Sequence, residues 1–396
     1  MQLSLFGGMT SFKIDKPIRL IELFGGISCQ AQALLNLGVD FENYRYCDFD
    51  KYACQSHNEI MGTNDKPSDI TKWKGEDLGV CDTDKYCYIM TYSFPCTDLS
   101  TAGKMAGMER GSGTRSGLLW EVERLLKECN ELPQVLLMEN VPQVHGKKNK
   151  ASFDEWCQFL ESLGYKNYWK DINAKDYGVP QSRNRCFMVS LLGDYSYKFP
   201  EPIELKLKLQ DLLEDEVDEK YYLSSKIIEF YTYNTEIQEQ KGNGFKFEPL
   251  EDASIAKTIT TRSGSRMTDN YIKENHECGS TTSSSAVLLK QELCNKLIQE
   301  GKVKENDVIR HNYTTSKNGN CIQSNNESPT LDTRCDCLGV CKNYRIRKLT
   351  PTECLRLMGV RDEYSKRMTC SASQQYKQAG NGIVVDVLMA IFKKML

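Results

Sequence analysis

Apolar residues in the first half of the chain fall into short runs separated by amphipathic stretches. Ile18-Arg19-Leu20-Ile21-Glu22-Leu23-Phe24 reads as a buried strand that runs into Gly25-Gly26-Ile27 and then into a helix from Cys29 to Leu37, closed by Gly38. Tyr44 to Cys47 reads as a second strand ending in Asp48, with a helix from Asp50 to Ile60. Further strands fit Tyr86 to Thr91, Val135 to Met138 and Cys186 to Leu191, and helical spacing covers Leu118 to Cys129 and Phe153 to Leu163. This alternation predicts an α/β fold with a doubly wound, mostly parallel sheet. From Asp194 to Tyr344 the pattern gives way to acidic patches and loops rich in Ser, Thr, Asn and Gly, which predicts a smaller, irregular second domain. Regularity returns from Arg345, with a helix after Thr350-Pro351 and an apolar helix from Ile383 to Phe392. The expected organisation is therefore a first domain over 1–193, a second over 194–344, and a segment over 345–396 that rejoins the first.

Composition narrows the setting. At 396 residues the chain exceeds the usual single-domain size. Its net charge of −3 provides no global attraction to nucleic acid, so contact with phosphates has to come from local clusters of Lys and Arg. Seventeen cysteines in a chain of this length, without a leader-like start between Met1 and Lys16, fit reduced thiols in a cytoplasmic protein. No apolar run approaches a membrane span.

Candidate chemistry lies at the ends of the predicted strands. Gly25-Gly26-Ile27 sits where small residues let a ligand approach the backbone and a helix N-terminus favours polar groups. Asp48 is placed to hold ribose hydroxyls, and Asp69, followed by Ile70, to accept from an adenine amine. From these residues alone, a nucleoside-type cofactor and an ordinary solvated turn both fit. A nicotinamide dinucleotide site lacks its glycine pattern, because Ser28 and Cys29 stand where it wants glycine. Phe94-Pro95-Cys96 ends a strand on a thiol, Glu139-Asn140-Val141 follows another strand, and Gln181-Ser182-Arg183-Asn184-Arg185 and Gly380-Asn381 complete the set. Cys335, Cys337 and Cys341 match no usual zinc-finger spacing and supply no evident fourth ligand, so no metal is expected.

Taken in chain order, with Arg347 to Gly359 and Gln378 to Val384, these pieces resemble the cytosine-5 DNA methyltransferases. The resemblance implies a Rossmann-like methyltransferase fold with a target-recognition domain, and S-adenosylmethionine as cofactor. It assigns cofactor contacts to Phe24, Gly26, Ile27, Asp48, Asp69, Ile70, Pro95, Leu118, Asn381 and Ile383. Cys96 is the implied nucleophile toward cytosine carbon 6, Glu139 the partner of N3, and Arg185, with Arg183 beside it, the donor to O2. The two arginines are expected to favour the Cys96 thiolate. The family usually has Gln where this chain has Thr97, and two glycines where it has Ser28 and Cys29.

The implied partner is duplex DNA with its target cytosine flipped out of the stack. Ser100, Lys104, Arg110 and Arg115 lie in a polar stretch from Asp98 to Gly117 that suits a lid over DNA. His145 to Lys150, Arg345 and Arg347 are candidate phosphate contacts, and Arg262, Arg266 and Arg334 candidate guanine contacts. A monomer is expected, with a cognate restriction endonuclease as a possible independent companion. The alternatives are a tRNA-methylating member of the same superfamily and a catalytically silent DNA-binding homologue.

Overall fold

The computed structural model describes residues 10–99, 106–251, 255–275 and 344–396, with the backbone of 308–310, 322–323 and 338–340. Two compact units are present: Met1–Glu214 with Asp252–Ser263 and Thr350–Leu396, and Asp215–Glu251 with Gly264–Leu349. The first takes in 194–214 and 252–263, which the sequence pattern had grouped with the irregular region, and the second takes in 345–349.

The first unit is built on β1 (Ile18–Leu23), α1 (Cys29–Asn36), β2 (Phe41–Cys47), α2 (Lys51–Met61), β3 (Cys87–Tyr92), α3 (Leu119–Glu128), β4 (Val135–Asn140), α4 (Lys150–Ser162), β5 (Tyr165–Asn173) and β6 (Asn184–Leu192). These six strands form one sheet in the order β2-β1-β3-β4-β6-β5. β1 runs parallel to β2 and β3, and β3 to β4, whereas β6 is antiparallel to both β4 and β5. The centre of the sheet is dry because β3 and β4 are buried at every position, the signature of strands covered on both faces. On one face Tyr92, Met138 and Met188 pack with Leu125 of α3 and with Phe153, Trp156 and Leu160 of α4. Trp156 is fully buried there and donates its indole N–H to the Tyr92 hydroxyl at 3.1 Å, so the burial leaves no donor unpaired.

Local chemistry sets the element ends. Asp50 caps α2, accepting from the backbone N–H of Tyr52 at 2.9 Å, and Gly62 closes the helix in the left-handed region at φ 72°. After the second unit the chain returns through a helix, α6 (Pro351–Arg356), which starts on a capping box. Thr350 N–H donates to Glu353 Oε2 at 2.8 Å, Glu353 N–H donates to Thr350 Oγ1 at 3.2 Å, and proline occupies the first helical position. After a short helical turn over Asp362–Ser365 come α7 (Ala372–Asn381) and α8 (Val385–Phe392), and α8 packs against α1.

In the second unit, β7 (Tyr271–Asn275) pairs antiparallel with β8 (Tyr344–Lys348), and α5 (Ser225–Gln240) precedes them. Both basic residues of β8 proposed for phosphate are spent internally. Arg347 is fully buried on the Glu274 carboxylate, and Arg345 pairs with Glu219 at 2.5 Å while its guanidinium lies 3.6 Å from the Tyr222 ring centroid. Arg347 thereby helps to hold the unit together, because a buried guanidinium needs its carboxylate more than a phosphate can reward its release, whereas Arg345 is only half-buried. Arg334 and the Cys335, Cys337 and Cys341 group lie outside the described residues.

A prediction follows from one close approach. A Cβ on Gly380 would sit 2.3 Å from the Thr261 nitrogen and 2.4 Å from the Thr260 carbonyl carbon, both backbone atoms. Gly380→Ala should lower unfolding stability in urea by about 1–3 kcal/mol, and an unchanged midpoint would remove this contact from the account.

Candidate active site

Two neighbourhoods form at the C-terminal ends of the parallel strands, where open α/β sheets bind their ligands. The first is the β1–α1 turn. Phe24, Gly26 and Ser28 all have φ between 56° and 58°, so the turn alternates into the left-handed region. Asp48, at the end of β2, ties it down: its carboxylate accepts from Gly26 N–H at 2.9 Å and from Asp50 N–H at 2.8 Å. Burial raises the Asp48 pKa, and these backbone donors act against that rise. A Cβ at Gly26 would meet nothing within 4 Å, which leaves open space above the turn for a ligand.

Ser28 is not glycine, and the left-handed conformation costs a serine about 1 kcal/mol or more. A buried chain of polar contacts holds it there. Ser28 Oγ lies 2.6 Å from His57 Nδ1, His57 Nε2 lies 3.0 Å from Asp65, and the imidazole stacks on Tyr46 with centroids 3.7 Å apart. Burial lowers the His57 pKa and favours a neutral ring, so Ser28 donates to Nδ1 and Nε2–H donates to Asp65. Cys29 is buried, and burial pushes its thiol up to about 12, which makes it a packing residue.

The remaining residues implied for the cofactor are placed less uniformly. Asp69 accepts from Thr71 N–H at 3.0 Å and from the Thr71 hydroxyl at 2.8 Å, and these bonds lower its pKa. Ile27, Ile70 and Ile383 are buried, Phe24, Pro95 and Leu118 half-buried, and Asn381 exposed. Phe49 was passed over in the sequence. Its side chain is 79% exposed immediately after Asp48, which is visible only in the structure.

The second neighbourhood joins the ends of β3, β4 and β6. Asn140 of β4 donates its side-chain amide to Phe94 O at 2.9 Å, and Ser116 donates its hydroxyl to Pro95 O at 2.6 Å, so the two residues that lead into Cys96 are anchored. Cys96 is half-buried. Glu139 is 8% exposed, with Arg185 Nε 3.3 Å from its Oε1, yet that oxygen has no hydrogen-bond partner. An orphaned carboxyl oxygen in a dry site calls for a partner from outside.

Arg183 is largely engaged by backbone carbonyls, with its Nε left without a hydrogen-bond partner. Its guanidinium donates to Ile259 O at 3.0 Å, Gly380 O at 3.0 Å and Gly382 O at 2.8 Å. It therefore fastens the 255–263 segment and the end of α7 to the site, and burial with Arg185 nearby pushes its pKa down to about 9. Gln181 assists, donating to Leu357 O at 2.6 Å and accepting from Ile259 N–H at 2.9 Å.

The expected thiolate is not favoured in this arrangement. Burial and the Glu139 charge raise the Cys96 pKa, and Arg185 and Arg183 only partly offset them. Burial likewise raises the Glu139 pKa against the same two arginines. Protonating Glu139 thus removes a charge that opposes ionisation of Cys96.

Among the residues proposed for DNA, Arg115 and Arg262 are exposed, whereas Ser100 and Lys104 lie outside the described residues. Arg110 is bound to Glu123 at 2.6 Å and Glu155 at 2.9 Å, and Trp120 donates to Met108 O at 2.9 Å. Residues 106–117 are therefore tethered on this side.

A family profile described as C-5 cytosine-specific DNA methylase matches residues 18–396. The Type II methyltransferase M2.ScrFI of Lactococcus lactis is 33% identical over 309 residues, which cover 77% of this chain and 65% of that protein. The orphan methyltransferase M.SssI of Spiroplasma monobiae is 46% identical over 158 residues, 39% of this chain and 40% of that protein. The chain thus spans less than two thirds of the length of either relative. Among solved structures, the Dnmt2 methyltransferase of S. pombe superposes with a TM-score of 0.63 at 18% identity, covering 96% of this chain and 98% of that one, and shares the fold. The chain belongs to the C-5 cytosine-specific DNA methylase family.

The coupling between Glu139 and Cys96 is measurable without substrate. In Glu139→Gln the pH midpoint for alkylation of Cys96, followed on its tryptic peptide, should move to lower pH because the opposing charge is gone while both arginines remain. An unchanged or higher midpoint would show that the carboxyl does not act on the thiol.

Proposed function

We propose that this chain methylates carbon 5 of a flipped-out cytosine in a specific duplex DNA sequence, using S-adenosylmethionine and a covalent Cys96 adduct. The observation that carries the reading is the buried Glu139 oxygen without a partner, held between an anchored Cys96 loop and Arg185. Family membership supports the reaction class.

The β1–α1 turn fits a nucleoside cofactor: open space above Gly26, the Asp48 carboxylate at the ribose position, and the bare Phe49 ring for an adenine face. When bound, S-adenosylmethionine supplies an electrophilic methyl group on its sulfonium. Carbon 5 of cytosine is a poor nucleophile, and the chain's own residues change that. A protonated Glu139 donates to N3 as Cys96 adds to carbon 6, so the charge pushed into the ring meets a proton instead of open carboxylate. Arg185 donates to O2 on the same edge. The bond between sulfur and carbon 6 makes carbon 5 an enamine carbon, and loss of the carbon 5 proton later expels the thiolate and restores the ring.

The irregular region, read in the sequence as 194–344, is the proposed reader of base edges, and Arg262 within it is a candidate guanine contact. A monomer in a restriction-modification or orphan setting suits this arrangement, and any cognate endonuclease would read the same sequence on its own.

Cys96→Ala should reduce cytosine methylation by roughly a thousandfold or more, while equilibrium binding of S-adenosylmethionine stays within a few-fold of the parent. Bisulfite sequencing of DNA from a methylation-free host and calorimetry provide the two readouts. Methylation by the variant at the parent's level would remove Cys96 from the mechanism.

A further inference from the structure

His145, Asp171 and Cys186 form a cluster that the reaction does not use. His145 sits in the turn that follows β4, and Asp171 and Cys186 are directly paired across β5 and β6. One donor atom from each, a ring nitrogen, a carboxylate oxygen and a thiol sulfur, lies within 4.8 Å of the other two. His145 Nε2 and the Asp171 carboxylate are already 2.9 Å apart. The His145 ring packs against Trp169, with centroids 4.6 Å apart, and against Phe153 at 6.0 Å, and those two rings also touch each other.

The geometry points to a transition-metal site, with Zn²⁺ as the cation that this donor set selects. A nitrogen, an oxygen and a sulfur suit zinc, whereas magnesium and calcium take oxygen shells. Tetrahedral zinc needs roughly 3.3–3.8 Å between its ligand atoms, given its usual bond lengths. The His145–Asp171 pair has to open slightly while the longer separations shorten, and the movable member is His145, on a turn. The carboxylate and the thiolate together neutralise the dication, so the complex adds no net charge to a partly buried place. On binding, the sulfur–zinc bond replaces the sulfur–hydrogen bond, the proton leaves to solvent, and water takes the fourth position. Entry is from the side where His145 and Asp171 are partly exposed, and Cys186, fully buried, forms the floor.

The site has a mechanical consequence. Side chains alternate along a strand, so Cys186 lies on the opposite face of β6 from its neighbour Arg185. His145 follows Glu139-Asn140-Val141 within one short turn. Zinc held by these residues clips the turn after Glu139 to the strand that carries Arg185, from behind the catalytic face.

The test uses the full-length chain stripped of metal. Titration with Co²⁺ should bring up the near-ultraviolet charge-transfer band of a thiolate ligand at one equivalent, and Zn²⁺ should displace it. Cys186→Ser should abolish the band and weaken Zn²⁺ binding, measured against a chromophoric chelator, by roughly a hundredfold. Asp171→Asn, isosteric and on a partly exposed residue, should weaken Zn²⁺ binding by at least tenfold while leaving the metal-free melting temperature nearly unchanged, which keeps the test valid if Cys186→Ser folds poorly. Cys96→Ser should keep the band, which separates this site from the nucleophile. No band in the parent, or a band that survives Cys186→Ser, would overturn the proposal and reduce the trio to a hydrogen-bonded pair above a buried thiol.

Discussion

Burying the Glu139 carboxyl beside two arginines and a thiol is the constraint on which the rest of the structure depends. Taking a carboxylate out of water costs several kcal/mol unless charge or hydrogen bonds replace the solvent. Arg185 supplies only part of that compensation, at 3.3 Å, and Oε1 stays without a hydrogen bond. In the proposed function, the acceptor nitrogen of the base would meet a neutral Glu139 carboxyl there. Burial, and after it the Glu139 charge, raise the Cys96 pKa, so neutralising Glu139 removes one of the two influences against the thiolate. In the proposed function, neutralising Glu139 as the base binds would also ease ionisation of Cys96, so no permanently reactive thiolate is needed.

That arrangement needs rigid support, and it comes from residues remote in sequence. Asn140 binds the Cys96 loop to the strand of Glu139, and Arg183 draws Ile259, Gly380 and Gly382 onto β6 through three carbonyls. The close backbone approach at Gly380 belongs to the same junction, where a side chain would collide with Thr260 and Thr261. At the cofactor turn the Ser28-His57-Asp65 chain plays the corresponding part: it secures a left-handed serine where a glycine would need no help.

Much of the sheet was legible because its strands are short apolar runs that end on chemistry. β1 to β4, β6 and their helices fall close to their expected positions, since burial on both faces leaves a plain signal. β5 left no such trace: Tyr165 to Asn173 is an edge strand whose middle is exposed, and only its pairing with β6 defines it. The antiparallel direction of β6 was equally invisible, because periodicity carries no direction. Glu139, Arg185 and Cys96 stood out through their motifs and lie within electrostatic reach of one another. The sequence could not separate the roles of Arg183 and Arg185, two residues apart, because the carbonyls that Arg183 binds, at Ile259, Gly380 and Gly382, are remote in the chain. Nor could it foresee that Arg347 faces Glu274, or that 255–263 leaves the irregular region to dock beside Gln181.

The central claim is that Cys96 adds to the target cytosine while Glu139 holds its ring nitrogen, and trapping the adduct tests it most directly. Duplex DNA with 5-fluorocytosine at the methylated position carries fluorine where a proton must leave, so an enzyme that adds through Cys96 should become covalently attached in the presence of S-adenosylmethionine. The account predicts a stable complex whose crosslinked tryptic peptide contains Cys96. A crosslink on another cysteine, or none on a sequence the enzyme is shown to methylate, would contradict it.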